Sequence, residues 1–226
     1  MRADFYNSNV FINCPFSSDY DPIFWAVLFT VFYAGFRPRC AREVSDAAQV
    51  RYAKILQIIR ESKFGIHDIS VMDLDPVTKL PRFNMPFEVG LFFAAKDFGS
   101  NKQRDKVALV MDSGDFRYRA ALSDISGQDI ASHVGDPEKA IHVVRNWLDN
   151  CRGGPEGLHG GAHIVEDYNK FLLDLPVRLK KVHLDVASLT YGDLCRAIEG
   201  YLLRKKHRRL VGASKKRSKR TKHSPK

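Results

Sequence analysis

Asn9-Val-Phe-Ile-Asn-Cys-Pro-Phe16 decides the fold. Its apolar run is too short for a helix, is rich in β-branched and aromatic residues, and is closed by Pro15. That pattern predicts a buried strand over Asn9–Cys14. Downstream, Ser17–Pro22 supply turn residues, and Asp21-Pro22 opens a helix with Asp as its cap and Pro in its first turn. Ile23–Ala34 are apolar almost throughout, and Gly35 stops them. Phe36–Ala41 is a second strand candidate, interrupted by Pro38. A helix over Ala47–Ser62, capped by Ser45 or Asp46, places Val50, Ile55, Leu56, Ile58 and Ile59 on one face and Arg51, Lys54, Arg60 and Glu61 opposite. Phe64–Ile69 is the third strand and Val71–Asn84 a polar loop. Met85–Lys96 is a helix with Pro86 in its first turn, and Lys106–Met111 is a fourth strand. Strands alternating with helices predict right-handed βαβ units and an α/β, doubly wound parallel sheet.

Beyond Met111 the pattern loosens. Asp115–Gln128 is polar and helical in part. Asp136-Pro137 caps a helix to Asn150, and five glycines among Cys151–His163 make a loop or hinge. Ile164–Leu175 and Thr190–Arg204 are two further helices, joined through Pro176–Asp185. From Leu210 the chain is low-complexity and basic, a composition without the apolar surface to order it. The expected organisation is an α/β domain over 1–150, a helical extension packed on it over 151–209, and a disordered basic tail over 210–226.

The chain has 226 residues and a formal charge of +10, from 36 Lys+Arg against 26 Asp+Glu. A basic chain invites a nucleic-acid reading, but twelve of the Lys and Arg lie between Arg204 and Lys226, where there is no Asp or Glu. Without them, 24 basic face 26 acidic residues over positions 1–203, a charge of −2. The excess belongs to the tail, where it predicts weak, non-specific, salt-dependent binding to nucleic acid. No aromatic residue follows Tyr201 to stack on a base.

With 44% apolar and 27% charged residues, the composition is that of a globular protein. The Met-Arg-Ala-Asp-Phe-Tyr start lacks a signal-peptide apolar stretch. The longest apolar run, Phe24–Phe36, falls short of the roughly 20 residues that span a bilayer. Cys14, Cys40, Cys151 and Cys195 are scattered without a CxxC pair, which predicts free thiols in the cytoplasm and no zinc site. Neither GxGxxG, a Walker A loop, HExxH nor GxSxG occurs.

Ligands of a doubly wound sheet bind outside the carboxyl ends of its strands. Strand one ends here in Asn13-Cys14-Pro15-Phe16, strand two near Arg39, Arg42 and Glu43, and strand three in His67-Asp68-Ile69-Ser70. The next helix opens Asn84-Met85-Pro86-Phe87-Glu88. Glu88 stands near the start of an apolar helix. It is either a carboxylate stabilised by the helix dipole or a partly desolvated one in a nucleotide pocket. Asp68 either caps the loop after its strand or accepts hydrogen bonds from a ligand. His67 points to the opposite face from Asp68 and reads as a core histidine. Asn13 offers an amide, Arg39 and Arg42 offer guanidinium forks suited to phosphate, and Cys14 reads as a buried thiol.

Val10-Phe-Ile-Asn-Cys-Pro-Phe16, Gly65-Ile-His-Asp-Ile-Ser70 and Pro81-Arg-Phe-Asn-Met-Pro-Phe-Glu-Val-Gly-Leu-Phe92 together resemble a group of bacterial proteins related to TIR domains and nucleoside 2-deoxyribosyltransferases. The resemblance covers roughly residues 8–150. It implies a flavodoxin-like sheet and cleavage of an N-glycosidic bond in a nucleotide, with NAD the leading substrate rather than a cofactor. In it, Glu88 is the catalytic carboxylate, Asp68 a sugar or base contact, and Asn13 and Phe16 line the pocket, with Ser70, Asn84 and Met85 on the same edge. The setting it implies is antiphage defence, with a homo-oligomer or a defence-system protein as partner. The alternative is a non-catalytic sensor or scaffold that uses the same crevice for a nucleotide signal.

Overall fold

A computed structural model describes residues 4–43, 48–71, 79–80, 82–115, 117–120, 122–153 and 156–221. Five strands, β1 (Asn9–Asn13), β2 (Arg37–Arg39), β3 (Phe64–Asp68), β4 (Val107–Asp112) and β5 (Ile130–Ser132), form one sheet. Every pairing is parallel and the order is β2-β1-β3-β4-β5. The helices are α1 (Asp21–Tyr33), α2 (Arg51–Arg60), α3 (Asn84–Phe98), α4 (Asn101–Arg104), α5 (Pro137–Arg152), α6 (Gly161–Lys180) and α7 (Tyr191–Thr221). This is a flavodoxin-like, doubly wound arrangement.

β1 and β3 are buried at every residue, as central strands covered on both faces must be. Alternation sorts their side chains. Phe11 packs with Ile55, Ile58 and Ile59 of α2 and Phe92 of α3, and Ile69 with Met85 and Val89 of α3. On the opposite face Phe64 meets Trp147 of α5 edge-on at 6.1 Å. Fully burying a side chain such as Phe11 or Phe92 contributes about 1.5–3 kcal/mol. Gly65 on β3 makes room on the first face: a Cβ there would lie 2.6 Å from His67 Nε2 and 2.9 Å from the Phe92 ring.

β2 tolerates Pro38 because it is an edge strand, where a missing N–H faces no partner. Gly35, at φ +82°, ends the α1 segment in the left-handed region that favours glycine. Asp21 is the first residue of α1 rather than its cap; Tyr20 caps it without a side-chain bond. Asp136 does cap α5, accepting from the Glu138 N–H at 2.8 Å, with Pro137 at the first position. α2 begins later than its apolar pattern suggests, and the expected caps Ser45 and Asp46 lie outside the described residues. Asp115–Gln128 contains two 3-10 turns, Arg117–Ala120 and Ser123–Ile125.

Two elements escaped the sequence reading. β5 is three half-buried residues, too short for alternation to register; only its pairing with β4, Val110 opposite Ile130, defines it. α4 is a single turn. Phe98, the last residue of α3, is 90% exposed, whereas Phe92 is buried. α6 runs through Pro176 rather than stopping before it. Phe171, Leu175 and Leu179 continue one buried stripe at four-residue spacing across the proline, and that burial offsets the lost hydrogen bond.

The chain divides into two compact units, Met1–Tyr168 and Asn169–Lys226. The first holds the sheet and α1–α5. In the second, Phe171 and Tyr201 pack edge-on at 5.6 Å, and α7 keeps helical backbone to Thr221, past Leu210, where composition alone suggests no structure. Among the described residues no helix is long and apolar enough to cross a membrane.

Candidate functional site

The strand order reverses between β1 and β3, so their carboxyl ends border the crevice in which doubly wound folds bind ligands. Asn13 and His67 sit opposite each other there. The Asn13 amide donates to the Met85 carbonyl at 2.9 Å and lies 3.3 Å from His67 Nδ1. This stitches β1, β3 and the first turn of α3 together. His67 is fully enclosed, with the rings of Phe92 at 4.9 Å and Phe11 at 5.7 Å. Burial, with Lys106 adding to it, lowers its pKa to about 3, so it is a neutral spacer at ordinary pH. Its expected core role is what the packing displays.

Asp68 points to the other face, as alternation requires, and has no exposed surface. Tyr20 donates its hydroxyl to Oδ2 at 2.5 Å, and the Ser70 N–H donates to Oδ1 at 2.9 Å. His133 Nε2 stands 2.9 Å from Oδ2. The Gly135 N–H donates to His133 Nδ1 at 3.0 Å, which assigns the proton to Nε2, facing the carboxylate. Both carboxylate oxygens are therefore engaged, and Asp68 ties the loop after β3 to the chain before α1 and to the segment after β5. Burial, then the Asp68 charge, raises the Tyr20 pKa well above its ordinary value, which keeps Tyr20 a donor. Tyr20 and His133 were not legible as site residues; nothing in local sequence connects them to Asp68.

Glu88 presents the opposite situation. It is 7% exposed, one turn before Phe92 on α3, and has no hydrogen-bond partner among the described residues. Burial pushes its pKa from 4.5 up to about 7, against a downward pull from Arg51. A buried carboxyl group that titrates near neutrality at the carboxyl edge of a doubly wound sheet marks a functional candidate.

Aromatic and cationic groups stand close by. Phe16 is half-buried at the end of the β1 loop and meets Phe24 edge-on at 6.5 Å. The Arg42 guanidinium lies 4.4 Å from the Phe16 ring centre and that of Arg51 5.7 Å. Arg42 also reaches Asp21 at 3.3 Å. Arg39 is committed elsewhere: three of its nitrogens donate to Glu43 and Glu61. Arg51, placed by periodicity on the polar face of α2, is the cation the sequence reading left out of the site. Its signal is positional, since it is the first residue of the helix that follows β2. Ser70 is buried, Met85 lends its carbonyl to Asn13, and Asn84 is exposed at the first residue of α3.

Cys14 is buried beside these groups. Burial, then the nearby Cys40 and Asp68, holds its thiol well above the ordinary range, so it is no nucleophile at neutral pH. Among the described residues no three His, Cys, Asp or Glu converge as metal ligands. A separate surface hollow of about 350 Å³, bordered by Tyr118, Arg119, Gln128 and Asp129, contains none of the predicted site residues.

Compared with protein-family models, curated proteins and solved structures, the chain matches none of them. The class defined by fold and site is thus an α/β protein whose switch-point edge carries a buried carboxyl group under the charge of Arg51, with the Arg42 and Arg51 guanidinium groups over the Phe16 ring.

Proposed function

We propose that the crevice binds a nucleotide and cleaves its N-glycosidic bond, with NAD as substrate and Glu88 as the catalytic carboxylate. The observation that carries this is the burial of Glu88 with no hydrogen-bond partner among the described residues. Such a group weakens the fold, and stability is characteristically sacrificed at sites that serve chemistry. A cationic nicotinamide ribose beside Glu88 favours its ionised form. The bond from C1′ to the ring nitrogen breaks with its electron pair leaving on nicotinamide, which departs neutral. The carboxylate stabilises the cationic sugar carbon. Water then adds to C1′ and gives up a proton, so the products are nicotinamide, ADP-ribose and a proton. Arg42 and Arg51 bind the pyrophosphate in this reading, which their position over the Phe16 ring and the match of guanidinium groups to its oxygens support. Arg39, tied to two glutamates, serves to hold the loop. Asp68 positions the crevice wall from behind instead of touching the sugar.

The resemblance of the Val10–Phe16, Gly65–Ser70 and Pro81–Phe92 segments supports the same reading, and the antiphage-defence setting and an oligomeric active form belong to it. The test is nicotinamide release from NAD by wild type and Glu88→Gln, at several protein concentrations and beside a panel of deoxynucleosides. The expected result is release by wild type and a loss of about 10³-fold or more in the variant. Equal rates in the two proteins would overturn the role of Glu88. Binding of NAD without turnover at any protein concentration would favour a nucleotide sensor.

A further inference from the structure

Helices α2 and α3 pack against each other through Ile55, Ile58, Ile59 and Phe92, and both start at the carboxyl edge of the sheet, after β2 and β3. Each start carries an arginine followed by an aromatic residue, Arg51-Tyr52 at the head of α2 and Arg82-Phe83 just before α3. Phe87 follows in the first turn of α3, next to Glu88.

The core does not account for these rings. Phe83 is 65%, Phe87 56% and Tyr52 49% exposed. The Tyr52 and Phe87 ring centres lie 6.3 Å apart, with their planes 32° from parallel. Two rings from different helices thus make one aromatic surface, which their mutual contact leaves half uncovered. Single exposed aromatic residues are ordinary, but a joined pair at the edge where this fold takes its ligands marks a binding surface.

The neighbouring groups say what binds. Arg51 and Arg82 are exposed, and the first turn of α2 holds no acidic residue. Arg51 also lies 5.7 Å from the Phe16 ring centre, and its charge acts on Glu88. A lipid tail or an apolar peptide would leave the guanidinium groups unanswered. A base with its phosphates answers both features: its π-face stacks on the rings, and its phosphate oxygens match the guanidinium forks.

We propose that Tyr52 and Phe87 form the platform on which the second base of the dinucleotide stacks, while Arg51 holds phosphate between that base and the ribose at Glu88. This rests on the nucleotide reading of the Glu88 site and deepens it. Every base has a π-face, so the platform recognises that a base is present and not which base it is. The hypoxanthine analogue of NAD is then a good substrate, and nicotinamide mononucleotide, which lacks the second base, a poor one.

The test measures binding of ADP, inorganic pyrophosphate and an oligothymidine of about 12 nucleotides to wild type, Tyr52→Ala, Phe87→Ala and Tyr52→Phe by calorimetry, beside nicotinamide release from NAD. Stacking of one base is worth about 5- to 150-fold in affinity. Wild type should bind ADP at least about tenfold more tightly than pyrophosphate, and each alanine variant should lose about fivefold or more towards ADP and nothing towards pyrophosphate. Tyr52→Phe keeps the ring and should bind as wild type does. In turnover the loss should appear in KM for NAD and be absent with nicotinamide mononucleotide. Both side chains are half exposed, and circular dichroism checks that the variants stay folded. Unchanged ADP affinity in both alanine variants, pyrophosphate bound as tightly as ADP, no binding of ADP at about 1 mM, or an oligothymidine bound more tightly than ADP by about tenfold or more would each overturn the platform. Ring-dependent ADP binding without nicotinamide release would leave the platform and remove the glycosidic reaction. Release that neither alanine substitution changes would do the reverse.

Discussion

On the proposed function, Glu88 sets a stability cost against an activity. Its carboxyl titrates at 4.5 in the unfolded chain and at about 7 in the fold. Below about pH 4.5 both states are protonated and it contributes nothing. Between the two values the fold retains a proton that the unfolded chain has lost, so stability falls as pH rises. Above about 7 the full cost, on the order of 3 kcal/mol, is present. Glu88→Gln should therefore stabilise the protein at pH 8 and leave it unchanged at pH 4, as read by chemical denaturation. With the reaction needing the ionised form, kcat/KM for NAD should rise with pH through an apparent pKa near 7. A pH profile flat from 5 to 9 would separate Glu88 from the chemistry. Gly65 is the complementary case. Alanine there meets His67 and the Phe92 ring below contact distance, and those rings are themselves packed in. A loss of about 1–3 kcal/mol follows, measurable as a lowered melting temperature with nicotinamide release retained below it.

At the scale of elements, α2 is anchored by a lysine. Lys106, immediately before β4, is 1% exposed and donates to the carbonyls of Ile59 at 2.6 Å and Ser62 at 2.5 Å. Its ammonium lies 4.3 Å from the Phe92 ring centre. These contacts hold the end of α2 against the sheet, and so the start of the helix, with Arg51, at the crevice. Burial lowers the Lys106 pKa from 10.5 to about 7. Between those values the unfolded chain carries a proton the fold does not, so this group makes the protein more stable as pH rises, with the gain complete above 10.5. Lys106→Met lacks that slope, so the stability difference between variant and wild type should change steadily across pH 7–10.5. An unaltered difference would mean that Lys106 titrates normally.

For the whole molecule, charge is divided by position in the chain. Residues 1–203 carry −2 and the remainder +12. On the proposed function, steering of an anionic nucleotide rests on Arg42 and Arg51, close to Phe16, and not on a general field. KM for NAD should change by less than about threefold between 50 and 200 mM salt, while the DNA binding expected of the basic tail falls by about 10³-fold over the same range. Parallel loss of both would place nucleotide and DNA on one cationic surface.

Local pattern was enough for the parallel sheet, the three central strands, α1, α3 and α5, and for the sheet edge that carries the candidate site. Burial on both faces leaves continuous apolar runs, and caps and prolines leave their marks within a few residues. The position of Glu88 was legible for the same reason, as one acidic residue in an apolar helix. Tertiary structure alone decided which charged groups are spent. Glu61 joins the local Glu43 on Arg39, Asp68 is enclosed by Tyr20 and His133, and Arg51 is brought beside Phe16. Each of those outcomes depends on partners 22 or more positions away, and a side chain's availability is set by what the folded chain packs around it.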